Sequence, residues 1–366
     1  MLNITPVARQ RAHRKLIDEY WDNQSAVSQS VLKSEILRVK SVKSEADQDA
    51  EEKNAVQMGS LLDCMLFTPD LVEEIYHVGK STTKPSGKLA GIVRKVVETV
   101  VLVTPDDDDE ELEVMEMAHY EEHFVAALDE AQYYTERKRE SRLKDVYKLT
   151  DYYDDLCAVA TKRLISQAEY KSAILAKTSI EMSDVWDELN GVPEGSNVEV
   201  FVQQPVYAYI DGVLCKGLLD YVRVDHDVKV VTYVDLKRTT RTEGSFPYHA
   251  RDLRYDFQLA FYGRLLHEAI KLETPIGTID IEGYTVKCGG LLTCFADSKG
   301  ETQAIKLLNI DNEDLIIGRF GRKWTRVYVI RGEEKEVEFV DLGYEQALTR
   351  YVDGDRRDNQ PFRIWS

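Results

Sequence analysis

Between Cys215 and Arg241 the chain reads CKGLLDYVRVDHDVKVVTYVDLKRTTR, two apolar runs joined by a polar turn, each closing on charged residues that a sheet interior rejects. Side chains alternate along a strand, so Val231, Tyr233, Asp235 and Lys237 share one face of the second run. Antiparallel pairing about the DHD turn carries Asp220, near the end of the first run, toward Asp235. Two carboxylates from adjacent strands, with a cation two residues from one of them, make an oxygen-rich pocket. Uncompensated, each buried carboxylate is costly and raises the pKa of the other. A divalent cation removes both penalties. Mg²⁺ suits so sparse a set, because it keeps several waters and takes one or two carboxylates plus a substrate phosphate. Acid-x-lysine is common by itself, recurring at Glu51, Glu136, Glu169, Asp227, Asp297 and Glu333. Asp235 differs in closing a continuous apolar β-run while a second acid closes the preceding one. The competing reading is an ion pair of Lys237 with Asp220 or Asp235 that caps the sheet edge.

Gln258 and Tyr262 follow, four residues apart and therefore on one face of the helix DFQLAFYGRLL, whose other face carries Leu253, Phe257, Phe261 and Leu265. That polar edge faces the acidic pocket or a phosphate; otherwise these are ordinary helix-surface residues. Downstream of Lys237 the chain is locally basic, with Arg238, Arg241, Arg251, Arg254 and Arg264.

The elements that must position these residues show in the periodicity. SQSVLKSEILRV, NAVQMGSLLDCMLFTP, ELEVMEMAHYEEHFVAALDEAQYYTERKR and DYYDDLCAVATKRLISQAEYKSAILA carry apolar residues at three- and four-residue spacing and read as helices. After the turn-rich NGVPEGSN, VEVFVQQPVYAYI and the two runs above form a three-strand meander with DG and DHD turn signals. A helix from about 249, further strands around IDIEGYTVKC and WTRVYVIRGEEKEVEFV, and a closing amphipathic GYEQALTRYV complete the chain. The expected fold is α/β, a central mixed sheet flanked by helices with a large N-terminal helical part. The expected division is a helical part over 1–195 and a sheet-bearing part over 196–366, integrated into one domain.

The chain has 366 residues and a formal charge of -18, the wrong sign on average for steering toward nucleic acid. The acid is concentrated in stretches such as PDDDDEELEVME (105–116), read as a solvated loop entering a helix start. HVGKSTTKPSGKLAGIVRKVV (77–97) has no acid and carries Lys80, Lys84 and Lys88; it reads as a mobile loop, either a solvated linker or a polyanion contact. Five cysteines, odd in number and set in apolar runs, point to free thiols in a reducing compartment. Cys288 and Cys294 in CGGLLTC lack the further ligands of an iron–sulfur cluster. With no signal-like N-terminus and no apolar run of membrane-spanning length, a soluble cytoplasmic protein is expected. No P-loop, zinc-ligand set or Rossmann glycine pattern is present.

Gly59-x-x-x-Asp63, Glu199 in NVEVFV, Asp220 in KGLLD, Asp235-x-Lys237 in VDLK and Gln258-x-x-x-Tyr262, with the SQSVLK opening helix, resemble the PD-(D/E)xK nucleases. Their order is most similar to phage recombination exonucleases of the exonuclease VIII type within the RecB-like group, over roughly residues 28 to 270. The resemblance implies a Mg²⁺ or Mn²⁺ site, one or two ions, and hydrolysis of DNA phosphodiester bonds. It implies metal ligation by Asp220, Asp235 and the Leu236 carbonyl, activation of water by Lys237, and bracing of site and strand by Gln258 and Tyr262. Asp63 stands where the family usually has histidine, and is either a ligand or a helix-surface acid; Glu199 is a direct ligand or supports one. Lys80, Lys84, Lys88, Arg238, Arg241 and Arg254 are the expected DNA contacts. The implied activity is an exonuclease at double-stranded DNA ends, working beside a single-strand annealing protein as a ring-shaped homo-oligomer. An endonuclease on the same fold, or a non-catalytic DNA- or protein-binding member, is the alternative.

Overall fold

Asp211 and Gly212 both take positive φ, 49° and 82°, a turn whose twist matches that of the strands it joins. The chain therefore reverses within two residues, and Val198–Ile210 pairs antiparallel with Val213–Asp225 from Ile210↔Val213 to Val198↔Asp225. A second reversal is held by Asp225 Oδ1, which accepts from the N–H groups of Asp227 (3.1 Å) and Val228 (3.2 Å). It returns the chain as Val230–Thr239. The three-strand meander expected from the alternation is present.

The computed structural model describes residues 6–37, 57–80, 85, 87–101, 116–157, 159, 162–330 and 333–352. In chain order the first elements are α1 (Pro6–Asp22), β1 (Val27–Ser28), α2 (Gln29–Leu37), α3 (57–67), α4 (Val72–Ile75), β2 (Tyr76–Val78) and α5 (Gly87–Val96). Next come α6 (Glu121–Glu130), α7 (Arg139–Tyr147), α8 (Thr150–Cys157), β3 (Arg163–Ile165), α9 (Gln167–Glu181) and α10 (Asp184–Asn190). Then follow β4 (Val198–Ile210), β5 (Val213–Asp225), β6 (Val230–Thr239), α11 (Phe246–Asp252), α12 (Tyr255–Glu268), β7 (Lys271–Thr274) and β8 (Gly277–Asp280). The last are β9 (Thr285–Ala296), β10 (Thr302–Leu308), α13 (Asn312–Phe320), β11 (Gly321–Ile330), β12 (Glu333–Leu342) and α14 (Tyr344–Val352).

Two compact units result, one of Met1–Gly59 with Thr178–Ser366, the other Ser60–Lys177. The division differs from the expected boundary at 195, because the N-terminal segment is bound to the sheet. β1 pairs with β5 at Cys215 and Lys216. The Lys216 ammonium donates to the Tyr20 and Asn23 carbonyls (2.7 and 2.6 Å), capping the end of α1. The sheet of this unit is mixed and six-stranded, ordered β1-β5-β6-β9-β10 with β4 also on β5. α12 seats Phe257, Phe261 and Leu265, all fully buried, in the core it shares with Val222, Val224, Val231 and Leu291.

In the second unit α5, α6, α7 and α8 enclose Val93, Phe124, Leu128, Val146 and Tyr153. Two expectations are corrected there. Residues 87–96 are helix rather than loop, because Ala90, Ile92, Val93 and Val96 form a buried stripe. The run after Asp151 is not continuous helix: Arg163–Ile165 breaks it as β3, parallel to β2. The acidic 105–115 lies outside the described residues. All five cysteines are free thiols. Among the described residues no helix is long and apolar enough to cross a membrane.

Candidate active site

β5 and β6 are hydrogen-bonded partners only from Asp225↔Val230 to Tyr221↔Val234. Beyond that point β5 keeps β4 on one side and takes β1 on the other, while β6 continues along β9 to Thr239. The sheet forks, and Asp220 and Asp235 are the first residues on the two arms. Forking leaves backbone groups without ladder partners, and a side chain fills one gap. Asp220 Oδ2 accepts the Leu236 N–H at 2.8 Å, while Oδ1 accepts from Gln203 Nε2 at 3.0 Å.

β6 is set against its other neighbour by a bulge. The β6–β9 register shifts between Tyr233 and Val234, opposite Gly289 and Gly290, one residue before Asp235. Gly290 has φ of 102°, and a Cβ there would lie 2.2 Å from the Leu308 carbonyl oxygen. The extra residue is Gly289, so the bulge bends β9 and resets its register against β6 just before Asp235.

Helix α12 supplies the remaining polar groups. Its approach to β5 is permitted by Gly217, where a Cβ would meet Leu265 Cδ2 at 2.8 Å and Tyr262 Cε1 at 3.1 Å. Gln258 then reaches Asp235: its Nε2 donates to Oδ1 at 2.8 Å and to the Tyr262 hydroxyl oxygen at 3.2 Å. Gln258 and Tyr262 are both buried, so the helix-surface reading does not hold. Tyr233, two residues before Asp235, donates its hydroxyl to the Leu259 carbonyl at 2.7 Å. Asp235 is 2% exposed and pairs with Lys237 through Oδ2; apart from that ion pair, Oδ2 has no hydrogen-bond partner among the described residues. The Lys237 ammonium also lies 4.9 Å from the centre of the Tyr255 ring.

The charges are mutually dependent. Burial first, and the Asp235 carboxylate second, push the Asp220 pKa up to about 7. Burial opposes the Lys237 ammonium, yet Asp235 and Asp220 together hold its pKa above the ordinary lysine value. Burial, then both carboxylates, raise Tyr262 far beyond any physiological titration. On β5 and β6 one lysine stands against two acids, and the strain shows in the raised Asp220 pKa.

Two carboxylates on neighbouring arms of the fork, served by one strand lysine, fit a divalent cation. Among the described residues no group of three His, Cys, Asp or Glu side chains converges on one point. Two carboxylates are nevertheless enough for Mg²⁺, which fills its remaining positions with water and substrate oxygens. Asp220 and Asp235 are the residues that would hold it.

The other expected residues do not join them in the sheet unit. Glu199 is opposite Val224, four residues along β5 from Asp220 and so about 13 Å away. There its Oε2 meets His226 Nε2 at 3.1 Å, and His226 Nδ1 meets the Tyr284 hydroxyl at 2.9 Å. Arg254 is buried, bonds Asp256 at 3.0–3.2 Å and the Leu342 carbonyl at 2.9 Å, and offers nothing to a strand of DNA. Arg238 is half-buried and donates to the Gly300 carbonyl at 3.1 Å; Arg241 is exposed. Asp63 belongs to the other unit, on α3. So do Lys80, paired with Asp154 at 3.1 Å, and Lys88, whose ammonium reaches the Gln132 carbonyl at 3.5 Å. Lys84 lies outside the described residues.

Gln203, Tyr255 and Lys33 were not singled out from sequence. Counting back from the Asp-Gly turn places Gln203 across from Asp220, so that partner was legible. Lys33 carried no signal beyond its place in SQSVLK. No family model matches the chain, and no match appears among curated proteins.

Proposed function

We propose that this protein is a metal-dependent deoxyribonuclease of the PD-(D/E)xK kind, acting on double-stranded DNA ends. The observation that carries the reading is the forked pair Asp220 and Asp235 with Lys237 on the Asp235 carboxylate. A capping ion pair accounts for Lys237 and Asp235 alone. Asp220 fills a ladder gap at the fork, a task an uncharged side chain could do without the cost that drives its pKa up to about 7. Polar placement at that cost is characteristic of functional sites.

A bound Mg²⁺ or Mn²⁺ would neutralise phosphate oxygens and lower the pKa of a coordinated water. The chain's own groups do the rest. Asp220 is held by the Leu236 N–H and Gln203, and Asp235 by Gln258, so neither carboxylate must reorganise when substrate arrives. Lys237 brings a mobile positive charge beside the acids, suited to orienting an attacking water.

The test is incubation of linear and closed circular duplex DNA with the full chain and Mg²⁺, Mn²⁺ or chelator. Expected is metal-dependent release of nucleotides from the linear form, abolished by Asp235→Ala and by Lys237→Ala with the folded spectrum retained. Cutting of the closed circle assigns an endonuclease instead, and activity surviving in either variant refutes the site.

A further inference from the structure

Helix α2 buries Leu32 completely in the core of the sheet unit, and this fixes where the next residue lies. Lys33 is half-buried, with its ammonium 5.4 Å from the centre of the Tyr255 ring, the same ring that Lys237 approaches at 4.9 Å. Lys237 has the Asp235 carboxylate, and the nearby Arg254 has Asp256. Among the described residues the Lys33 ammonium has no ion pair and no hydrogen bond, only the ring of the tyrosine. A cation withdrawn from water without a counter-ion is expensive. Burial first, and the Lys237 ammonium second, hold its pKa down at about 7, against the attraction of Asp235 and Asp256 and with the further repulsion of Arg254.

Resting on the nuclease reading above, we propose that Lys33 is a substrate-contacting residue of the site, its ammonium binding a phosphate oxygen of the DNA strand presented to Asp220 and Asp235. Once a dication is held by the carboxylates the pocket carries excess positive charge, and a phosphate is the anion that would balance it. It would stand between Lys33 and the cation held by the carboxylates, which gives both a counter-charge. Tyr255 supplies both lysines with an electron-rich ring that makes them tolerable before DNA arrives. The N-terminal segment thus belongs to the catalytic unit because it brings a side chain to the site as well as a strand to the sheet.

The experiment compares wild type, Lys33→Met and Lys33→Arg as full chains, measuring binding of a short blunt duplex over a range of salt with Ca²⁺ in place of Mg²⁺. Loss of one phosphate contact lowers the slope of log affinity against log salt by about 0.9, and affinity near 0.1 M salt falls roughly tenfold. Lys33→Met is expected to show both, with a thermal midpoint equal to or above wild type, since an unpaired buried charge is removed. Lys33→Arg is expected to keep the salt slope. An unchanged slope in Lys33→Met, or a lowered midpoint with unchanged cleavage, makes Lys33 structural and overturns the proposal while leaving the nuclease reading intact. A wild type that neither binds nor cuts DNA overturns both.

Discussion

Replacing Asp220 by asparagine should stabilise the metal-free protein while destroying its activity. The side chain keeps its shape, and Gln203 can turn its amide to accept from the new NH₂ group while the asparagine oxygen still accepts from Leu236. What disappears is a charge that burial and Asp235 oppose. Moving a carboxyl pKa from 3.8 to about 7 corresponds to about 4 kcal/mol against the ionised form in the fold. Asp220 is only partly buried, so water screens part of this, and about 2 kcal/mol is expected, a rise of roughly 4–8 °C in thermal midpoint. The pH dependence has a definite sign. Between about pH 4 and pH 7 the native carboxyl retains a proton that the unfolded chain has released, so rising pH costs the metal-free wild type stability. The asparagine variant lacks that loss. The gap between them should therefore open from pH 4 to pH 7, level off above, and close when Mg²⁺ binds wild type alone. Thermal unfolding monitored by circular dichroism in chelator, then in Mg²⁺, measures all of this. A variant less stable than wild type at pH 8 in chelator, or a gap independent of pH, would refute the electrostatic reasoning.

Gln258→Leu strips the Asp235 carboxylate of its amide donor in a buried setting, and should cost about 2 kcal/mol in denaturant unfolding along with most of the cleavage; full stability would show that Asp235 finds another donor. Glu199→Gln should leave cleavage unchanged, because its partner is His226 at the other end of β5; a large loss of activity would return Glu199 to the site. Arg254→Met breaks a buried pair with Asp256 and should lower stability by about 3 kcal/mol, while the salt dependence of DNA binding stays as in wild type; a reduced salt slope would make it a phosphate contact after all.

Alternation and turn chemistry were enough to read β4 and β5 almost to the residue, since a two-residue Asp-Gly turn leaves one register and every second side chain then has a face, whereas β6 runs on past the acid expected to close it, to Thr239. From that register the meeting of Asp220 with Asp235, and the face shared by Asp235 and Lys237, were legible. Four-residue spacing did the same for Gln258 and Tyr262. Helical periodicity was a poorer guide: the short Arg163–Ile165 strand is invisible in it, because three apolar or amphipathic residues satisfy either period. β10, Thr302–Leu308, escaped notice for a related reason, its side chains being mostly half-buried along a sheet edge.

Local chemistry, then, determined which residues could act: acids expected to close two apolar runs but lying inside β5 and β6, a lysine two positions on, an amide and a phenol on one helical face. Tertiary structure alone decided which of them act together. Glu199 and Asp220 share a hairpin, yet the rigid strand rise keeps them apart, whereas Lys33 is nearly two hundred residues from Asp220 in sequence and reaches the same ring as Lys237. The physical reason is the fork between β5 and β6. It arises because β1, from the far N-terminus, takes the place beside β5 that β6 leaves, and no pattern within the meander records which strand will fill that gap.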